Sequence, residues 1–178
     1  MMQSRQLAIP DVYVFDVPQF LDARGSFSIV WQPDAFASVG CDTTIVQGMR
    51  SFNHRRGTLR GLHLQIAPHA QAKWVQATRG TLYDVIVDVR PASPTFRQWV
   101  GITLSATRPQ VVYVPAGCAH GYQTLEDETE MLYFITTPYV PDAERGYRYD
   151  DPAFQIDWPA GPPSEIHPRD AAFPWMTV

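Results

Sequence analysis

Sixteen prolines and eleven glycines are scattered along this 178-residue chain, and punctuation that dense argues against long helices. Between the breaks lie short runs of β-branched and aromatic residues: DVYVFDV, TTIVQGM, LRGLHLQ, KWVQAT, TLYDVIVDV, QWVGITL, QVVYVP and TEMLYFITT. Runs spaced about 8–15 residues apart predict a sandwich or barrel of antiparallel strands. ATRGT and VPAGC supply turn chemistry between them. Helix is expected only in short pieces: QPDAFASVG, with Asp34 near its start and Gly40 just past its end, and SEIHPRDAAF near the C-terminus. From residue 138 onward Pro, Asp, Gly and Tyr dominate without periodicity. A tail of about 40 residues with so little apolar pattern does not make a second domain. Residues 1–178 are therefore expected to form one all-β domain, its C-terminal segment wrapped over the barrel mouth.

Hydrophobic residues make up 45% of the chain, enough for a substantial core. The net charge of -4 and the lack of a Lys/Arg run speak against a nucleic-acid groove, and the basic cluster NHRRGTLR reads as solvated surface. Cys41 and Cys118 stand far apart, without CxxC or zinc spacing. The N-terminus has no basic segment leading into an apolar one, and no apolar run approaches a membrane span. These features predict a cytoplasmic protein with reduced thiols and no membrane partner.

The stretch TLRGLHLQ places a cation and an imidazole among leucines. Strict alternation puts Gly61, His63 and Gln65 on one face and Arg60 on the other with Leu62 and Leu64. Gly61 is a natural site for a bulge, which would turn Arg60 to the His63 side. An isolated histidine in such a strand reads as a core residue bonded to a carbonyl. Here it has company: His120 follows the Pro-x-Gly turn of VPAGCAHGY, and Lys73, Asp84 and Tyr133 each interrupt an apolar strand. Polar groups converging from several strands define a pocket.

Gly57 and His63, then Pro115, Gly117 and His120, are spaced like the two motifs of the cupin superfamily. Metal-binding cupins need further ligands where this chain reads Gln65 and His69, and an amide is a poor transition-metal ligand. The set His63, His69 and His120 is what remains for a metal. Without one, the inventory suits proton abstraction beside a carbonyl with stabilisation of the enolate. His63 could act as base, Tyr133 as the acid on the opposite face and Lys73 as partner of the enolate oxygen, while the planar fork of Arg60 suits a phosphate.

Six segments in order, DARGSF, TLRGLHLQ, AQAKWVQATRGTLYDVIVDVRPASPTFRQWVGITLS, VPAGCAHGYQTL, LYFITTPYVPDAERGYRYDDP and IDWP, resemble the dTDP-4-dehydrorhamnose 3,5-epimerase family. The resemblance implies a cupin jelly roll working as a homodimer without metal or organic cofactor. It implies a nucleotide-diphosphate sugar as substrate and inversion of C3 and C5 of a 4-keto-6-deoxyhexose through enolates. Carried over by position, His63 is the base, Asp170 its dyad partner, Tyr133 the opposing acid and Lys73 the support of the enolate. Arg60 faces the diphosphate, His120 shares the pocket, Gln47 lies on the nucleotide side and Tyr139 stacks on the base. Arg24 and Phe27, on exchanged N-terminal strands, reach the partner's site.

The chain departs from the family pattern at three places. Ile29 stands where RGxFxE has its acidic residue, Gly48 and Met49 replace a common Asp-Asn pair, and Phe134 replaces the lysine beside Tyr133. By alternation Phe134 faces away from Tyr133. The first two changes fall on the nucleotide side, where an unpartnered base edge costs about 1–3 kcal/mol. The alternatives are therefore a single-centre epimerase on the same or another nucleotide sugar (CDP, GDP or UDP), a metal-dependent cupin dioxygenase, and a sugar-binding cupin without activity.

Overall fold

The computed structural model, which describes residues 2–177, folds the short runs into a two-sheet jelly-roll sandwich. Its elements begin with β1 (Gln3–Gln6), β2 (Tyr13–Asp16), β3 (Gln19–Asp22), β4 (Gly25–Ser28), helix α1 (Pro33–Ala37), β5 (Gln47–Asn53), β6 (Thr58–Gln65) and β7 (Lys73–Arg79). They continue with β8 (Thr81–Asp88), β9 (Trp99–Ser105), β10 (Gln110–Val114), β11 (Cys118–Thr124), β12 (Thr129–Ile135), β13 (Glu144–Gly146), β14 (Glu165–Ile166) and helix α2 (Pro168–Ala171). One sheet runs β1-β2-β10-β7-β12-β5 and the other β13-β6-β11-β8-β9, with β14 added parallel to β6. From β5 to β13 the chain changes sheet at almost every connection, so residues distant in sequence face each other across the sandwich.

Three apolar layers hold it. Val75, Val112 and Met131 of one sheet meet Leu82, Ile86 and Leu104 of the other between the sheets. The outer face of the first sheet is closed by α1 and the residues before it, where Phe36 and Trp31 pack on Trp74. The outer face of the second is closed by the C-terminal segment through Phe154 and Trp158. Most of that segment packs flat on the sheet, because Leu59, Leu62, Val85 and Val87 leave an apolar face to bury there, while its Tyr139, Glu144 and Arg169 line the cavity between the sheets.

Two strands sit differently from the sequence reading. In TTIVQGM the strand starts only at Gln47, and Ile45 and Val46 stay exposed. CAHGYQT, expected as the sequel to a turn, is the central strand β11, buried at every position. A strand covered on both faces shows no alternation, and its His, Gln and Thr conceal it further. Cys41 and Cys118 are free and buried, and burial pushes both thiols up to about 12. Among the described residues no helix is long and apolar enough to cross a membrane.

Candidate active site

Gly61 decides what β6 can present. Its φ is +116°, and a Cβ there would lie 2.6 Å from the Gly121 Cα and 2.7 Å from the His120 carbonyl oxygen. Only glycine allows that approach. The register between β6 and β11 shifts at this point, from His63 opposite His120 to Arg60 opposite Tyr122. The expected bulge is thus present, and it brings Arg60 and His63 to one cavity of about 320 Å³.

His63 and His120 reach this cavity from one sheet, Lys73 and Tyr133 from the other. Behind His63 lies Asp170, 2% exposed. Its Oδ1 is 2.9 Å from the His63 Nε2, and its Oδ2 accepts the Gly61 N–H at 3.1 Å. Asp170 points inward because α2 starts on Pro168, with the His167 ring accepting the Arg169 N–H. Burial works to raise the Asp170 carboxyl, but His63, the Gly61 N–H and Arg169 prevail and hold it below the usual range. A second pair repeats the arrangement: the His120 Nε2 is 2.7 Å from the Oδ1 of fully buried Asp84. The Asp84 Oδ2 has no partner among the described residues.

Burial lowers Lys73 from 10.5 to about 8, against the opposing pull of Glu144 and Asp84, and its Nζ donates to the His63 carbonyl oxygen at 3.3 Å. Burial also pushes the Tyr133 phenol up. At the rim, the Tyr139 hydroxyl donates to the Glu144 Oε2 at 2.9 Å, and the Arg169 Nη1 reaches the same oxygen at 2.7 Å. An imidazole backed by a carboxylate on one wall, with a phenol and an ammonium on the other, can take a proton from one face of a bound carbon acid and return one to the opposite face.

Three of the sequence-derived residues lie elsewhere. Gln47 is exposed at the start of β5, outside the cavity lining, while Met49 on the same strand does line it. Arg24 and Phe27 lie on the detached β3–β4 hairpin, where Arg24 pairs with Asp22. Phe134 faces away from Tyr133, towards Trp31. Ser51, Tyr122, Glu144 and Arg169 line the cavity without having been anticipated. Counting in twos from Met49 finds Ser51, and from His120 finds Tyr122, so alternation already marked both.

His63, His69 and His120 do not gather, and among the described residues no three His, Cys, Asp or Glu side chains stand together to hold a metal. Gln65 is structural: its amide donates to the His69 and Pro138 carbonyl oxygens and accepts the Val140 N–H.

Residues 6–177 match the family model described as dTDP-4-dehydrorhamnose 3,5-epimerase. The chain is 45% identical over 159 residues to the enzyme of that name from Pseudomonas aeruginosa, covering 89% of this chain and 87% of the relative. The dTDP-4-dehydrorhamnose 3,5-epimerase from Bacillus anthracis, solved with TDP and PPi bound, has a TM-score of 0.95 at 35% identity, covering 99% of this chain and 100% of that one. A 3'-monoepimerase from Streptomyces bikiniensis in complex with dTDP-quinovose has a TM-score of 0.89 at 31% identity, covering 95% and 85%. With the jelly roll and the cavity built as described, the chain belongs to the dTDP-4-dehydrorhamnose 3,5-epimerase family.

Proposed function

We propose that the protein converts dTDP-4-dehydro-6-deoxy-D-glucose to dTDP-4-dehydro-L-rhamnose, inverting C3 and C5 through enolates. The observation that carries this reading is the placement of His63 with Asp170 and of Tyr133 on opposite walls of one cavity. His63 removes a proton beside the 4-keto group, and Asp170 orients the imidazole and balances the charge it gains. Lys73 meets the enolate oxygen, and Tyr133 protonates the carbon from the other face. Arg60 holds the diphosphate, His120 borders the sugar, and Tyr139 stacks on the base. No metal or organic cofactor takes part in these steps.

A homodimer completes the site, with the β3–β4 hairpin exchanged so that Arg24 and Phe27 reach the partner's cavity and Gln47 faces the nucleotide. In support, the hairpin forms its own small sheet and exposes Phe20 (57%), Leu21 (78%) and Phe27 (65%), apolar surface that a second copy would cover. Light scattering should return the dimer mass, and a monomer at working concentration would refute the exchange. A cytoplasmic location suits the two free cysteines; recovery of the protein from the periplasm would contradict it.

Inversion at a single centre is the second reading, favoured by the likeness to a 3'-monoepimerase and by Met49 in the cavity wall. NMR of the product formed in deuterated water separates the two. Label and inversion at both carbons is the expected outcome, while label at one carbon establishes the single-centre reaction.

The pH dependence should carry the mark of Lys73. It must be charged to meet the enolate oxygen, so kcat is expected to fall on the alkaline side near its lowered value of about 8. In Lys73→Arg, whose guanidinium stays charged, that limb should move to higher pH. An unmoved limb would assign it to another group. Stability follows the same proton: between about 8 and 10.5 the unfolded chain binds what the folded chain has released, so stability rises with pH across that window.

A further inference from the structure

Arg60 is exposed and borders two spaces, the cavity and a groove on the α2 side that also touches His63 and Asp170. A side chain of that length can point into either. Its guanidinium is held by a neutral group: the Arg60 Nε donates to the Asn53 Oδ1 at 2.8 Å, with a longer contact from Nη2 to the Phe52 carbonyl oxygen at 3.4 Å. Asn53 and Tyr122 are each 2% exposed. The Asn53 Nδ2 donates to the Thr129 carbonyl oxygen at 3.1 Å and to the Tyr122 hydroxyl at 3.2 Å, which leaves Oδ1 turned towards Arg60. The Tyr122 hydroxyl is itself fixed by the Ser51 Oγ at 2.7 Å.

We propose that Asn53 and Tyr122 are positioning residues that aim Arg60 at the diphosphate of the substrate, an inference that rests on the role given to Arg60 above. An amide tether at Nε fixes direction while leaving the full charge and the terminal nitrogens for a two-pronged grip on phosphate oxygens. A carboxylate in its place would hold the arginine as firmly but neutralise it.

The test is a double-mutant cycle read by calorimetric titration of dTDP into the full-length protein. Arg60→Ala should weaken binding, and Asn53→Ala should weaken it about tenfold, the scale of one charge-assisted contact. Tyr122→Phe should cost only about threefold, because the Thr129 carbonyl still orients the amide. In the Arg60→Ala background Asn53→Ala should add nothing. KM for the sugar nucleotide should rise in parallel, with kcat falling by less. If Arg60→Ala leaves dTDP affinity unchanged, the role of Arg60 fails and the proposal with it. If Arg60→Ala weakens binding but Asn53→Ala does not, or does so equally in both backgrounds, the positioning role alone is overturned. Should Asn53→Ala lower the melting temperature too far to titrate, Tyr122→Phe, which keeps the ring in the core, decides by the same cycle.

Discussion

Replacing His63 by alanine is expected to lower kcat by about 10²–10⁴-fold, the share a positioned general base contributes. The size of the loss follows from the site. Asp170 lies beside His63, and among the described residues no other imidazole bonds to that carboxylate. His120 is tied to Asp84, so it does not substitute. The fold should survive, because the His63 side chain is 23% exposed and the Gly61 N–H and Arg169 still partner the buried Asp170 carboxylate. A variant that keeps its melting temperature and its affinity for dTDP yet loses turnover identifies a chemical role. One that unfolds, or loses affinity and turnover together, identifies a structural one.

The second large effect is expected at Gly61. Alanine there meets backbone on both sides, the Gly121 Cα at 2.6 Å and the His120 carbonyl at 2.7 Å, in a left-handed conformation that already disfavours a side chain. Neither obstacle can rotate aside, so the two strands must part. The cost should be about 3 kcal/mol or more, a drop of roughly 6–12 °C in Tm for a chain of this size. Activity per folded molecule should fall as well, since the same bulge turns Arg60 and His63 to one side. Gly40 supplies the control: its φ is +84°, but a Cβ there meets nothing within 4 Å. Gly40→Ala should cost only about 1 kcal/mol. Equal melting temperatures for the two variants would show that backbone strain, and not the close approach of β6 to β11, sets the requirement for glycine.

The apolar runs that became β6, β7, β8, β9, β10 and β12 were readable because each has a buried face and a length typical of strands. β11 was hidden by its burial on both faces, which erases the alternation that marks a strand. The facing of Arg60 depended on one glycine, and composition suggested a bulge there without fixing its register. Pairings between residues far apart in the chain are beyond any local pattern: Asp170 reaches His63 over 107 positions, and Asp84 on β8 reaches His120 on the neighbouring β11 over 36. The first pairing entered through family resemblance, whereas Asp84 appeared only as a polar residue in an apolar strand. Ser51 and Tyr122 went unnoticed because a serine or tyrosine in a strand is ordinary until the opposite wall is known. Gln47, Arg24 and Phe27 entered through family resemblance alone, and none of the three lines the cavity that holds His63.

The central claim is that His63 removes the protons beside the keto group and that Tyr133 returns them from the opposite wall. The most direct measurement is a time course of deuterium entry at C3 and C5 of dTDP-4-dehydro-6-deoxy-D-glucose, followed by NMR for the native protein, His63→Ala and Tyr133→Phe. Label should enter both carbons in the native protein and neither in His63→Ala. In Tyr133→Phe label should still enter while inversion slows, because deprotonation survives and only delivery to the far face is lost. Label entering His63→Ala at the native rate would contradict the account, since the proton would then leave through some other group.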